Sequence, residues 1–241
     1  PKLAFKYVRA LVRQNQPHAK IANDYLRTQK YLGSPEHLNL LLVAATDADS
    51  RIFDLLVKNK ADAVALVGQQ AFDAQVAKAV QSTLDKAIEF KSEDLLETAA
   101  DKMALADPAE GKKVALQGAF EMAAKGTDLK AFQKATKKYL DKGTDGDVTR
   151  LERIYQVASV SKFIHDPKVL DMAVRAGAAA AAGDPTTGFR KYFRLADFLN
   201  KQGKKDMALT YANLALQSMP EKQANYERAI KGLIQRIESG S

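Results

Sequence analysis

The sequence predicts an all-α fold, a right-handed superhelix built from antiparallel helical hairpins. Three observations carry this expectation. Apolar residues recur at helical spacing almost from end to end. Val, Ile and Thr never gather into the alternating runs that mark strands. A pattern of small and apolar positions in the C-terminal half returns after 35 residues. The chain has 241 residues, of which 46% are apolar and 27% charged, so it can bury a sizeable core.

Each element has its own signal. Leu3, Tyr7, Val8 and Leu11 share one face of a first helix, which "NQP" stops. A second helix runs through Ile21, Tyr25 and Leu26 toward Gly33. "SPEHLNLLLVAA" opens with Ser34 as N-cap and Pro35 in the first helical position, where a missing N–H costs nothing. "DSRIFDLLVKNK" places Ile52, Phe53, Leu56 and Val57 on one stripe, and a further helix spans Phe72 to Ile88. "SEDLLETAADKMALADP" starts with Ser92 as cap, with Glu93 and Asp94 in the first turn, where carboxylates favour a helix N-terminus. That helix ends before Pro108.

From there the chain becomes regular. Gly126, Gly143, Gly183 and Gly203 punctuate short helices, and Pro185 and Pro220 fall just past helix ends. The clearest unit is "YFRLADFLNKQGKKDMALTYANLALQSMP", with Tyr192, Leu195-Ala196 and Leu199 in its first helix. Gly203 turns the corner, and Ala208, Ala215 and Pro220 complete the second half. Shifted back 35 residues, Val157, Val160-Ser161 and Ile164 give a first helix, and Ala173, Gly177 and Ala180 a second. Pro185 closes that unit. A weaker copy uses Ala115, Gly118-Ala119 and Met122, then Gly126, Ala131 and Ala135, and "KGTDGDVT" supplies the extra residues before the next unit. Over roughly residues 112–222 this pattern resembles tetratricopeptide (TPR) repeats, although Ala212 and Gly177 stand where the pattern prefers an aromatic residue.

The repeat gives a reason for "GAAAAAG", residues 177–183. In stacked hairpins the second helix is sandwiched between its partner and the next unit. Alanine permits close backbone approach there and has the best helix propensity. Ala180, aligned with Ala215, is the position expected to be most tightly enclosed. The chain is thus expected to divide into an irregular helical half over 1–110 and three hairpins over 111–241, all in one continuous solenoid. Tyr226, Ile230 and Ile234 of a helix over 221–237 should cap the last hairpin.

Several chemistries are excluded by composition. The chain has no cysteine, so disulfides, thiolate metal sites, CxxC redox pairs and cysteine nucleophiles are absent from it. No apolar run approaches the roughly 18 residues that would span a bilayer. The termini, Pro1 and "SGS", read as those of a processed or excised segment. The net charge of +8 is spread over three segments around an acidic one: residues 34–110 hold seven Lys/Arg against fourteen Asp/Glu. That distribution, without Arg and aromatic residues interleaved, reads as solvated helix faces rather than a nucleic-acid surface.

The strings "NDYLRTQKYL", "AATDADSRIFDLLVKNK" and "KAIEFKSEDLLETA" add a narrower likeness. They resemble the helical region that follows the thioredoxin domain in secreted bacterial thioredoxin-like proteins of Bacteroidetes type. The resemblance implies a thioredoxin-like domain preceding Pro1 and a periplasmic or secreted location. The paired cysteines of that family have no counterpart here, so no redox residue carries over.

No constellation announces catalysis. His18, His37 and His165 lie far apart and read as surface or cap residues rather than metal ligands. Asp47/Asp49 and Glu93/Asp94 sit where helix starts favour negative charge, and "DADS" lacks the glycine and distal glutamate of a calcium loop. No phosphate-binding glycine loop or nucleophile elbow is present. No enzyme activity, metal or cofactor is therefore expected. The candidate site is the concave face, with Tyr155, Lys162 and His165 from one hairpin and Arg190, Phe193, Asp197 and Lys201 from the next. Aromatic and charged groups together suit an extended peptide or another protein; an ordinary solvated face is the alternative. The expected function is a non-catalytic protein- or peptide-binding module accessory to a thioredoxin-like domain. The runner-up is a structural spacer packed against that domain, with nucleic-acid binding third. If the chain's own helices fill the face holding Tyr155, Arg190 and Phe193, the spacer is favoured.

Overall fold

A computed structural model describes residues 2–221 and 223–239. The described residues form fourteen α-helices and no strand. Two compact units divide the chain, Pro1–Met122 and Ala123–Ser241, with the boundary inside the eighth helix.

In the first unit the helices are α1 (Lys2–Arg13), α2 (Ala19–Arg27), α3 (Pro35–Ala44), α4 (Arg51–Lys58), α5 (Lys60–Val67), α6 (Gln69–Phe90), α7 (Glu93–Ala106) and most of α8 (Pro108–Ala124). Ser34 and Ser92 start helices as their positions predict, and Ser50, for which no cap was expected, does the same. Ser34, Ser50 and Ser92 accept hydrogen bonds from the backbone N–H groups of His37, Phe53 and Leu95. Helix α3 is the hub, touching α1, α2, α4 and α5. Its sequence is apolar on nearly every side, and Leu38, Leu40, Leu41 and Ala44 are buried accordingly. The fully buried Thr83 ties the loop before α4 to α6, its hydroxyl accepting from the Ala48 N–H at 2.9 Å.

Helix α1 uses a different face from the expected one. Leu3 and Tyr7 are 82% and 54% exposed, while Val8 is fully buried and Ala4 and Val12 pack against the core. The stripe Ala4, Val8, Val12 is one residue away from Leu3, Tyr7, Leu11, a rotation of about 100° around the helix. Short side chains let α1 lie closer to α3 than the larger set would.

The second unit contains α9 (Leu129–Lys142), α10 (Val148–Ser159), α11 (Pro167–Ala182), α12 (Gly188–Lys201), α13 (Lys205–Gln217) and α14 (Ala224–Ser239). Asp128, Asp147 and Asp166 cap α9, α10 and α11 through backbone N–H groups of the first turn. The pairs α10–α11 and α12–α13 pack along their lengths, α11 also touches α9 and α12, and α14 covers α13 and α12. Gly203 takes the α12–α13 corner with φ +70°, a conformation that penalises any side chain. Ile230, Leu233 and Ile237 form the buried face of α14, with Tyr226 edge-on to Phe189 at 5.3 Å.

The expected first helix through Val157, Val160, Ser161 and Ile164 is displaced. Helix α10 begins at Val148, earlier than that stretch, and ends at Ser159. Its buried face is Leu151, Ile154 and Ala158. Val160 is 83% exposed, whereas Ser161 and Ile164 fold back in successive turns. The cause is local. Asp147 caps the helix early, and the Ser161 hydroxyl donates to the Ala158 carbonyl at 2.9 Å, competing with continuation.

The alanine helix is enclosed as its composition predicts. Ala180 and Ala181 are buried, Ala178 is partly buried, and Ala179 and Ala182 face solvent. A Cβ at Gly177 would stand 3.0 Å from Cδ2 of Tyr155, so this ring rests on backbone. The space left beside Ala180, between Tyr155, Glu152, Lys191 and Arg194, is only about 10 Å³. Leucine does not fit there. Ala180→Leu should lower stability by about 1–3 kcal/mol through overpacking, whereas Ala179→Leu and Ala182→Lys should melt like the parent. Thermal denaturation of the three variants side by side checks this.

Candidate functional site

The candidate concave face around Tyr155, Arg190 and Phe193 is packed by the protein's own side chains. Tyr155 projects from α10 into the angle between α11 and α12. Its ring lies on Gly177 and meets Phe198 edge-on, with centroids 5.8 Å apart. Burial pushes its hydroxyl up to about 12, with the Arg194 charge opposing the shift.

Arg190 is stacked rather than free. Its guanidinium lies 4.9 Å from the Tyr226 ring centroid and 5.4 Å from that of Phe189. Phe193 is partly buried against the cluster of Leu195, Leu199 and Leu233. Asp197 pairs with Lys201 at 2.7 Å along one helix face. Lys162 and His165 lie in the turn between α10 and α11 instead of on a helix, and both are exposed. The seven residues therefore do not converge on one open surface: three serve packing, two neutralise each other, and two stand in a turn.

Beside Tyr155 a charged lattice links the helices. Lys191 of α12 bonds Glu152 of α10 and lies 3.5 Å from Asp184 in the α11–α12 loop, and Arg194 reaches Glu152 at 3.5 Å. Hydrogen bonds from the side chain and backbone of Thr187 hold the Asp184 carboxyl down at about 2. These groups fasten α10, the loop and α12 together.

The histidines His18 and His37 and the carboxylate Asp47 have structural partners, whereas Glu93 and Asp94 have none among the described residues. His37 is buried, its Nδ1 2.9 Å from the Ser34 hydroxyl and its Nε2 3.1 Å from that of Tyr25. His18 bridges Gln16 and Ala44 carbonyls at 3.2 and 3.3 Å. Glu93 and Asp94 lie exposed in the first turn of α7. Asp47 accepts from Lys86 at 2.6 Å, Ser82 at 2.7 Å and Thr46 at 3.0 Å. Partial burial works against its charge, but these donors outweigh that effect and hold the carboxyl below its ordinary range. No group of three His, Asp or Glu side chains among the described residues converges as metal ligands would.

One surface escaped the sequence reading. A groove of about 550 Å³ lies between α9 and α11, with Lys130, Lys134 and Lys137 on one wall and Lys168 and Arg175 on the other. The signal was present as cations at i, i+4 and i+7 in α9 and at i and i+7 in α11. It becomes a groove only through the packing of α9 on α11, which the sequence does not display.

No model of a known protein family matches the chain, and no curated protein or solved structure matches it.

Asp47 yields a pH prediction. Its carboxyl titrates lower folded than unfolded, so its contribution is present above the ordinary carboxylate range and is lost as pH falls through the depressed value. Asp47→Asn should cost about 1 kcal/mol at neutral pH. The gap between variant and parent should then narrow as pH falls below the ordinary carboxylate range in chemical-denaturation titrations.

Proposed function

We propose that the chain is a non-catalytic helical scaffold, a TPR-like right-handed superhelix of hairpins that holds a thioredoxin-like domain and packs against it. The observation that carries this reading is the filled face: Tyr155, Arg190 and Phe193 are held by the chain's own helices. A peptide-binding concave surface would present such groups to solvent.

Other features support it. The hairpin α12–α13, turned by Gly203, follows the TPR spacing, and each helix from α10 to α13 packs on the next in the chain. Contacts between Glu152 and Lys191 join the first helices of successive hairpins, as in stacked repeats. The side chains with catalytic potential, His37, His18 and Asp47, are engaged in local hydrogen bonds. The exposed Leu3 and Tyr7 of α1 offer an apolar surface that an adjoining domain would cover. The resemblance of "AATDADSRIFDLLVKNK" and its neighbouring strings to helical regions behind thioredoxin domains is what suggests a thioredoxin-like domain as that neighbour. A second reading, binding of a protein or peptide, is favoured by the basic groove between α9 and α11 rather than by the expected face.

Tyr155 decides between wedge and binding residue. As a wedge, Tyr155→Ala should lose about 2–4 kcal/mol of stability and Tyr155→Phe less than about 1 kcal/mol. Because the folded hydroxyl titrates near 12, its contribution is complete below the unfolded value near 10 and is lost as pH rises through about 12. Tyr155→Phe should lack that alkaline loss. A Tyr155→Ala protein that melts like the parent would return this face to solvent and sink the scaffold reading.

A further inference from the structure

The walls of the α9–α11 groove carry five cations and one carboxylate, Asp171. Lys130, Lys134 and Lys137 follow one stripe of α9, with neighbouring side chains about 4.5–6 Å apart along the axis at about 1.5 Å per residue. On α11, Lys168, Met172 and Arg175 repeat the same i, i+4, i+7 spacing. The floor is aliphatic: Met172 is only 6% exposed, Pro167 lies beside it, and the methylene stems of the lysines extend the apolar surface.

Most of these charges are not fixed in an ion pair, although Arg175 acts on Asp141 and Lys168 on Asp166 through charge alone. Lys137 pairs with Asp141. The side chains of Lys130, Lys134, Lys168 and Arg175 make no hydrogen bond or close ion pair among the described residues. All four are exposed. Like charges at i and i+4, such as Lys130 and Lys134, weaken a helix slightly. An anionic ligand would reverse that term.

We propose that this groove binds an acidic, amphipathic helical segment of a partner protein. Carboxylates one turn apart on such a segment match the step of the lysines on α9, and an apolar side chain between them would cover Met172. A nucleic-acid strand fits less well. No aromatic side chain lines the groove to stack on bases, and the apolar floor offers nothing to phosphates. Asp171 within the groove and Asp141 at its rim interrupt the field that a continuous phosphate backbone would need. The groove adds a site to the scaffold and uses none of the residues that test it, so either reading can fail alone.

The test is fluorescence anisotropy of the intact chain with a labelled peptide of about 15 residues, carrying Glu at i, i+4 and i+7 beside a Leu stripe. A scrambled peptide of identical composition and a single-stranded oligonucleotide of similar charge serve as comparisons. The amphipathic peptide should bind at micromolar concentration, and the scrambled one at least about tenfold more weakly. Lys134→Glu combined with Lys168→Glu should weaken binding at least about tenfold, whereas Lys205→Glu with Lys231→Glu, the same charge change elsewhere, should not. Circular dichroism and a thermal melt verify folding, and Lys134→Gln with Lys168→Gln replaces the reversal if that variant is unfolded. Four results would each overturn the proposal: no binding at millimolar peptide, equal binding of both peptides, indifference to the groove variants, or tighter binding of the oligonucleotide that the same variants abolish.

Discussion

Close approach of helix backbones, made possible by alanine and glycine, is the constraint on which the second unit rests. Gly177 leaves room for the Tyr155 ring to lie on α11, and Ala180 limits the adjoining space to about 10 Å³. Farther along, Gly188 at the start of α12 presses on the Ala181 carbonyl, where a Cβ would collide with backbone. Larger side chains at any of these points would push α10 or α12 away from α11. The ion pairs of Glu152 with Lys191 and Arg194 could not then form at their present distances. Burial of a small side chain contributes little by itself. The stabilisation comes from what closeness allows: an aromatic ring packed on backbone and a charged lattice held across three elements.

The same device recurs in the first unit with different partners. Gly111 of α8 faces Ala100 and Ala104 of α7, where an added Cβ would stand 2.6 Å from that of Ala104. Ala99 and Ala100 are buried on the α7 side. Around α3 the solution differs, since Leu38, Leu40 and Leu41 fill the centre and surrounding helices supply complementary small or branched residues. Interiors close-packed in these two ways resist insertion of even one methylene group. That accounts for polar candidates such as Thr83 and His37 being satisfied by hydrogen bonds where they stand, because rearrangement has no free volume to use.

Much of this architecture was legible in the sequence, and the reasons are local. Ser34 and Ser92 cap helices by chemistry that acts over three residues, so a short string reveals it. Gly203 reports a left-handed corner for the same reason. What failed was register and face. Val157, Val160 and Ile164 have helical spacing, but Asp147 started α10 early and the Ser161 turn ended it, a competition between caps that periodicity cannot rank. On α1, periodicity fits two adjacent stripes, and only the closeness of α3 selects Ala4, Val8 and Val12. The candidate site suffered most. Tyr155 and Phe193 look available in a repeat pattern because the pattern says which positions are conserved in shape, not which neighbours reach them. The basic groove was missed because its two walls, Lys130 to Lys137 and Lys168 to Arg175, are 38 residues apart in sequence and meet only in the folded unit.

Helix α11 explains why scaffold and groove can share one element. Its buried residues, from Val169 to Ala181, occupy most of the circumference, against α9, α10 and α12. Solvent reaches one narrow stripe, Lys168, Asp171, Arg175, Ala179 and Ala182, at steps of three and four residues. A stripe this narrow cannot form a binding surface alone. Its first half gains one only because α9 brings Lys130, Lys134 and Lys137 alongside, with Met172 as the floor between them. Its second half, Ala179 and Ala182, carries no charge and no bulk. The division follows from position along the helix: the end near α9 is free to carry charge, while the end near Gly188 must keep its backbone within reach of α12.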